Sequence, residues 1–176
     1  VTPAEAAALI AAAPATLKKV GLFVDPDDAL LDHTLAAATF DLLQLQGGET
    51  PDRVAAIRAR FGIPVIKALK IATAADFEPV TAFARVADWI LFDGAPPKDK
   101  KNALPGGNAA RFDWTLLAGR DFARPWMLSG GLDPANVAEA IRISGARCVD
   151  VSSGVESAPG RKDPARIRAF VQAAKA

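Results

Sequence analysis

The sequence has few of the residues that build covalent or metal-based sites. Its single cysteine excludes a disulfide within the chain, and with only one histidine it leaves too few ligands for a Cys/His metal site. Lysine and arginine number 21 against 20 acidic residues, so the basic surface that a nucleic-acid partner needs is absent. No apolar run is long enough to span a bilayer. We therefore predict no metal, no nucleic-acid partner, no membrane and a cytoplasmic location.

What is present is enough for one domain with a hydrophobic core. The 176 residues are 51% hydrophobic, and no linker divides them, so residues 1–176 are predicted to form one domain. After a first helix over 3–13, six strand-like segments alternate with helix-like ones. The predicted strands cover 17–24, 42–46, 65–71, 89–92, 126–128 and 148–151, and the predicted helices cover 27–38, 50–60, 74–83, 113–118, 133–144 and 164–175. This alternation indicates an α/β fold with a parallel sheet.

Two small-residue loops follow the last two predicted strands. The first contains Ser129, Gly130 and Gly131, and the second is the run Ser152-Ser153-Gly154. Such loops present backbone N–H groups and hydroxyls at the carboxyl end of a strand, where a phosphate can bind. The alternative is that the glycines only allow tight turns. Because the two loops are successive, we favour phosphate, which matches the usual phosphate site of a (β/α)₈ barrel.

Six strands are too few for that barrel, and the chain opens on a helix. It is therefore either a doubly wound sheet of six strands or a (β/α)₈ TIM barrel of which six units are present, and the phosphate loops favour the barrel. In the barrel, a first strand, a helix and a second strand would precede Val1. Two open sheet edges would then favour association through those edges, so we expect a monomer or a homodimer.

Several motifs together resemble one family along the whole chain. They are Leu43-Gln44-Leu45-Gln46-Gly47-Gly48-Glu49, Pro64-Val65-Ile66-Lys67-Ala68, Leu91-Phe92-Asp93, Pro105-Gly106-Gly107-Asn108 with Phe112-Asp113-Trp114, Leu128-Ser129-Gly130-Gly131-Leu132, Asn136-Val137 and Asp150-Val151-Ser152-Ser153-Gly154-Val155-Glu156. They resemble the phosphoribosylanthranilate isomerases of tryptophan biosynthesis. The resemblance implies a (β/α)₈ barrel, a small phosphorylated substrate, an Amadori rearrangement of an aminoaldose to an aminoketose, and no cofactor.

The resemblance also implies roles for particular residues. Asp93, at the end of a strand, is the candidate general acid that opens the furanose ring, the alternative being a loop or helix-cap carboxylate. Asp150 would hold the anthranilate amine or order the substrate, unless it is a structural partner of a lysine such as Lys67, which would then face the interior. Gly106 and Gly107, in a long loop between residues 94 and 111, would let the backbone approach the ligand, unless they only supply flexibility.

Two departures from the family pattern affect the chemistry. The family's general base is the Cys of an opening Lys-Ile-Cys-Gly motif that this sequence lacks, and Cys148 lies at the start of the last strand, where the family has no catalytic thiol. The family usually has His where Gln46 stands. Three alternatives remain: an indole-glycerol-phosphate synthase, which a catalytic Lys–Glu pair would favour; a sugar-phosphate epimerase, which the single histidine disfavours; and a truncated barrel that binds phosphate ligands without turnover.

Overall fold

The protein is described by a computed structural model in which residues 1–95 and 111–176 are placed. Six helices cover Pro3–Ala12 (α1), Asp28–Ala37 (α2), Pro51–Phe61 (α3), Val80–Val86 (α4), Val137–Ser144 (α5) and Pro164–Ala174 (α6). Five strands cover Val20–Phe23 (β1), Leu42–Leu45 (β2), Val65–Ile71 (β3), Trp89–Gly94 (β4) and Trp126–Leu128 (β5), and a hairpin is formed by Glu156–Ala158 (β6) and Arg161–Lys162 (β7). Short 3₁₀ turns lie at Ala74–Phe77, Trp114–Leu117 and Ser153–Val155.

Helix starts follow the local sequence. Thr2 caps α1 through a capping box, in which its hydroxyl accepts from the Glu5 N–H at 3.2 Å and its own N–H donates to the Glu5 carboxylate at 2.6 Å. Thr50 caps α3 with Pro51 in the first turn, and Asp163 caps α6 in front of Pro164. These polar residue–proline pairs made the helix starts predictable.

The sheet runs in simple sequence order, β1-β2-β3-β4-β5, and every pair is parallel. A doubly wound sheet reverses its strand order at a switch point, and this sheet has no reversal. The main core cluster joins one face of the strands to the helices, including Leu69 of β3 with Val54 and Ile57 of α3 and Phe83 of α4. The doubly wound alternative is therefore wrong, and the α/β prediction with a parallel sheet is confirmed.

The other face of the sheet forms a second cluster built from strand residues. Ile66, Ala68 and Leu91 are its buried members, packed against Leu42, Trp89 and Met127. We call this the inner face, because none of the helices described contributes to it. Polar side chains follow the apolar ones towards the carboxyl ends of the strands, and the candidate site lies among them.

Three predicted elements differ in the structure. The helix expected over 74–83 is broken, because Pro79 has no N–H to donate and its ring would clash with the Ala75 carbonyl of a continuous helix. The helix expected from Asp133 begins only at Val137, after a turn in which the Asp133 carboxylate accepts from two backbone N–H groups. The sixth strand is reduced to one bridge between Val149 and Leu128.

The segment after that bridge also differs from its prediction. Residues 152–163 were expected to form a plain loop before α6, but they contain a 3₁₀ turn and the β6–β7 hairpin. None of the helices in the described ranges combines the length and the apolar character that crossing a bilayer would require.

Candidate active site

Asp93 lies at the centre of a polar cluster on the inner face. It is the fifth residue of β4 and only 7% exposed. Strand register places Lys70 of β3 opposite Asp93, and the Lys70 ammonium lies 2.5 Å from Asp93 Oδ2. The amide of Gln46, at the end of β2, donates to the same oxygen at 2.9 Å. Within the described ranges no hydrogen bond reaches Asp93 Oδ1, so that oxygen can carry and deliver a proton.

A second amide extends this cluster along β2. Gln44 Nε2 donates to Gln46 Oε1 at 2.8 Å, so the two glutamines and Asp93 form a buried chain of hydrogen bonds. Gln46 occupies the position where the family usually has His. An amide does not titrate, so it donates to the Asp93 carboxylate at every pH at which the protein is folded.

Asp150 provides a second carboxylate near the same end of the sheet. It accepts a hydrogen bond from the Ser129 hydroxyl at 2.9 Å. Burial raises the pKa of Asp150, and the negative charge of Asp93 raises it further, while the Ser129 hydroxyl and the Lys162 ammonium act in the opposite direction. The site therefore combines a carboxyl group held by two donors with a second carboxyl group, Asp150, whose ionisation is disfavoured by burial.

Lys67 is not the partner of Asp150, and it does not face the interior as expected. Its ammonium donates to Glu49 Oε2 at 2.7 Å and to the carbonyls of Leu45 and Gly47, at 3.2 and 2.7 Å. Both charged side chains are only 2% exposed, and the ammonium lies 5.8 Å from the centre of the Phe83 ring on the helix-facing side. The strand alternates faces, so Lys67 and the inner-face Lys70 point to opposite sides.

Glu49 was not identified as a site residue from the sequence. Its second oxygen accepts from the N–H groups of Asp25, at 2.9 Å, and Gly47, at 3.2 Å. Asp25 has a φ of 46°, which is rare for a residue other than glycine, and its carboxylate accepts from the Gly48 N–H at 2.7 Å. The buried pair thus fixes the loops after β1 and β2. A Lys–Glu pair enclosed in this way cannot reach a substrate, which removes the feature that would favour the synthase.

The two predicted phosphate loops lie against each other. Gly130 and Gly131 have φ values of 92° and 63°, which glycine adopts without strain. A Cβ on Gly154 would overlap the carbonyl oxygen of Leu132, so the second loop packs on the first at a point where only glycine fits. In the described residues, the N–H groups of Gly130, Gly131, Ser153 and Gly154 donate no hydrogen bond. Four backbone donors are thus left for a ligand.

Two cations bind the carbonyl side of these loops. The Lys162 ammonium donates to the Ser152 carbonyl at 2.8 Å and to the Ser152 hydroxyl at 3.1 Å. Arg111 Nε donates to the Gly131 carbonyl at 3.1 Å, and its guanidinium also pairs with Asp133 at 3.0 Å. Neither Lys162 nor Arg111 was predicted from the sequence to belong to the site.

The remaining predicted residues fall away from the cluster or outside the described ranges. Gly106 and Gly107 lie outside the described residues. Cys148 lies at the amino end of the sixth strand position, where its carbonyl accepts from the Leu128 N–H at 3.0 Å, two residues before Asp150. His33 is exposed on α2. Across residues 1–95 and 111–176, no three His, Cys, Asp or Glu side chains lie close enough together to hold a metal ion.

Some of the missed residues had a recognisable signal. Gln44 and Lys70 each lie two positions after an apolar inner-face residue of the same strand, and therefore on the same face as that residue. Each also lies near the carboxyl end of its strand. Period-two alternation alone could have placed both on the face of Asp93. Lys162 offered no such signal, because the hairpin that brings it back to Ser152 was not anticipated.

Known proteins with similar sequences and structures identify the family. The family model described as N-(5'phosphoribosyl)anthranilate (PRA) isomerase matches residues 1–173. The N-(5'-phosphoribosyl)anthranilate isomerase of Paramagnetospirillum magneticum is 59% identical over 175 residues, which cover 99% of this chain and 80% of the relative. The corresponding protein of Paracoccus denitrificans is 56% identical over 176 residues, covering 100% and 81%.

Solved structures agree with the sequence relatives. The phosphoribosyl anthranilate isomerase of Thermotoga maritima superposes with a TM-score of 0.84 at 35% identity and covers 99% of this chain and 81% of its own. An isomerase in complex with reduced 1-(o-carboxyphenylamino)-1-deoxyribulose 5-phosphate has a TM-score of 0.82 at 33% identity, covering 99% and 80%. The resemblance seen in the motifs is thereby confirmed, and the chain belongs to the N-(5'-phosphoribosyl)anthranilate isomerase family.

Proposed function

We propose that this chain carries out the isomerisation for which its family is named, with Asp93 as the general acid. Family membership makes the chain an isomerase of tryptophan biosynthesis. The reaction is an Amadori rearrangement, in which the furanose ring opens on protonation of its oxygen and a base then removes the proton at C2. The electrons move within the substrate, so the chemistry needs no redox cofactor.

The contacts of Asp93 support its role as the acid. Lys70 and Gln46 both donate to Oδ2, which anchors that oxygen, whereas Oδ1 receives no hydrogen bond from the described residues and faces the substrate in our proposal. This asymmetric environment is the single observation that carries the assignment, because it distinguishes the reacting oxygen from the anchored one. A positioned acid of this kind contributes typically 10²–10⁴-fold to a rate.

The second carboxylate and the paired loops complete the proposed site. Asp150 would accept a hydrogen bond from the anthranilate amine, and the substrate phosphate would bind the N–H groups of Gly130, Gly131, Ser153 and Gly154. Support comes from the contact between the two loops and from their unused donors. We do not assign the base to Cys148, which lies two residues before Asp150, on the amino side of the bridge at Val149.

The architecture proposed for the full site is the (β/α)₈ barrel of the family. The sequential parallel sheet β1–β5 and the bridge at Val149 would then represent six successive units of that barrel. The inner face would be the barrel interior, and the polar cluster would lie at its carboxyl-terminal mouth, where barrel enzymes carry their catalytic groups.

The acid is tested by replacing Asp93 with asparagine, which keeps the shape of the side chain. We expect Asp93→Asn to lower kcat about 10²–10⁴-fold while changing ligand affinity little, because a proton donor acts mainly in the transition state. Asp121→Asn, the same substitution at an exposed position, is the matched control and should leave kcat unchanged. Near-normal turnover by Asp93→Asn would remove Asp93 from the mechanism.

A further inference from the structure

The β6–β7 hairpin returns a lysine to the second phosphate loop. Lys162, the last residue of β7, makes three hydrogen bonds through its ammonium: to the Ser152 carbonyl at 2.8 Å, to the Ser152 hydroxyl at 3.1 Å and to Glu156 Oε1 at 2.7 Å. Its side chain is 45% exposed. The ammonium therefore links the hairpin to the loop, and the side chain as a whole stays accessible to solvent.

The hairpin holds this lysine in a fixed frame. Glu156 pairs with Lys162 in the register of the hairpin, and Glu156 Oε2 accepts from the Gly160 N–H at 3.1 Å. Arg166, in the first turn of α6, donates to the Glu156 carbonyl at 2.6 Å. The hairpin is thus attached at its turn, at its strand pair and to the following helix, so the position of the Lys162 ammonium is determined by several independent contacts.

The bonds to Ser152 leave the next two backbone donors available. Lys162 engages the carbonyl and the hydroxyl of Ser152, while the N–H groups of Ser153 and Gly154 make no hydrogen bond within the described residues. The ammonium also acts on the nearby carboxylate: burial raises the pKa of Asp150, and Lys162 lowers it. Without the Lys162 ammonium, a phosphate dianion at this loop would be repelled by the carboxylates of Asp150 and Asp93, with less positive charge nearby to offset that repulsion.

We propose that Lys162 is the positioning residue of the phosphate subsite. Its ammonium holds Ser152 so that the Ser153 and Gly154 N–H groups face the phosphate, and it supplies positive charge beside the bound dianion. The proposal rests on the phosphate site described under the proposed function. It assigns to the hairpin a role in substrate binding, in addition to its role in connecting the sheet to α6.

The test is titration of the full chain with inorganic phosphate, followed by ³¹P NMR or calorimetry. We expect Lys162→Met to weaken phosphate binding about 10-fold or more, since a hydrogen-bonding charge is lost. Lys162→Arg should retain affinity within about 3-fold, because it keeps the charge. Arg161→Met, which removes one positive charge from the same strand at an exposed position, is the matched control and should bind as the wild type does.

Glu156→Gln separates a phosphate role from a purely structural one. Glutamine can still accept from Lys162 but no longer neutralises it, so the proposal predicts affinity equal to or tighter than wild type. If Lys162 acts only by bracing the hairpin through its ion pair with Glu156, loss of that charge pair in Glu156→Gln should lower phosphate affinity as Lys162→Met does, and that result would overturn the proposal. In the isomerase assay Lys162→Met should raise KM more than it lowers kcat, and a loss confined to kcat would also contradict it.

Failure of the phosphate site itself would give a different pattern. In that case the unaltered chain would show no saturable phosphate binding, and the site and the role of Lys162 would both be rejected. If the unaltered chain binds phosphate and Lys162→Met binds equally well, the site stands and only the role of Lys162 is rejected.

Discussion

Asp93 and Asp150 lie near the same end of the sheet in different environments. Asp93 accepts hydrogen bonds from the Lys70 ammonium and the Gln46 amide, whereas Asp150 is largely buried and, among the described residues, accepts from the Ser129 hydroxyl alone. Burial and the charge of Asp93 both favour the protonated form of Asp150. Two carboxyl groups in different environments are a common arrangement for assigning distinct acid and base tasks within one site.

Asp150→Asn is expected to change how stability depends on pH. The folded-state pKa of Asp150 is raised, so the folded protein holds this proton more tightly than the unfolded chain. Its contribution to stability is full below the unfolded pKa of about 3.9 and is lost as the pH rises through the folded pKa. The free energy of unfolding of Asp150→Asn, relative to wild type, should therefore increase from pH 4 to pH 7.

Urea unfolding at a series of pH values measures that difference, and taking the difference between the two proteins cancels the other carboxylates. Ser129 can still donate to the asparagine oxygen, so packing is retained. A difference that does not change with pH, or that falls as the pH rises, would contradict the raised pKa.

Gly154→Ala is expected to damage both stability and phosphate binding. The added methyl would overlap the Leu132 carbonyl, which is backbone and cannot rotate away, so the loops must separate at a cost of roughly 3 kcal/mol. Gly145→Ala is the control: Gly145 has a φ of 74° and open space around it, so alanine there should cost about 1–2 kcal/mol without affecting phosphate affinity. Equal phosphate affinity in the two variants would show that loop contact is not needed for binding.

At the residue scale, candidate site residues could be predicted from the sequence where a polar or glycine residue lies at the end of a predicted strand. Asp93, Asp150 and the glycine loops could be located because parallel strands bring their carboxyl ends to one edge. Glu49 could not, because its role depends on the strand register and on the face that the Lys67 side chain takes. The expectation that Lys67 faces the interior failed for this reason: a lysine within a buried strand fits either face if a carboxylate is available there.

The ends of three strands are joined by the buried Lys67–Glu49 pair. Lys67 belongs to β3, Glu49 follows β2, and the Glu49 carboxylate holds the Asp25 N–H after β1. Because Gln46 lies in the loop held by these contacts, the pair fixes the donor that reaches Asp93. Its effect on the site is therefore transmitted through the backbone of the loop after β2.

Lys67→Met is expected to destabilise the fold by about 3–5 kcal/mol, because it leaves the Glu49 carboxylate buried without a counter-charge. The double variant Lys67→Met with Glu49→Leu should recover part of that loss, since no uncompensated charge remains. A double-mutant cycle in urea measures the coupling. A single-variant loss below about 1 kcal/mol would mean that the pair is not energetically coupled in the fold.

Among whole elements, those with terminal signals were predicted best. The first, third and last helices begin with a capping residue followed by proline, and their predicted starts agree with the structure to within one residue. The element expected over 74–83 failed because its internal Pro79 was not treated as a break. The sixth strand failed because pairing requires a partner of sufficient length, and β5, over Trp126–Leu128, is only three residues long.

At the scale of the whole described sheet, β1 is an edge strand. In the described part of the chain this strand pairs only with β2, and its residues Val20 and Leu22, with the adjacent Val24, are 43%, 58% and 40% exposed. An apolar edge with unpaired backbone groups favours pairing with another chain. The Thermotoga maritima isomerase is dimeric, and a crystal structure describes monomers generated from it, so a dimer is known within the family.

We expect the 176-residue chain to associate through this edge as its concentration rises, and Leu22→Lys to reduce that association. The substitution is at an exposed position and should change the free energy of unfolding by no more than about 0.5 kcal/mol. Leu9→Lys, on α1 and 62% exposed, is the matched control away from the edge. Sedimentation velocity measures association, and a concentration-independent monomer for the unaltered chain would contradict the prediction.

The alternation of side chains between the two faces of β3 also specifies the register of this strand. Its two lysines are three positions apart and therefore on opposite faces, each with its own carboxylate: Glu49 among the helices and Asp93 on the inner face. A shift of one residue would exchange the faces, leaving Glu49 and Asp93 each without its counter-ion. A β3 strand shifted by one residue would therefore lose both ion pairs. The charged residues that contribute to the site thus also favour the correct register of the sheet that carries it.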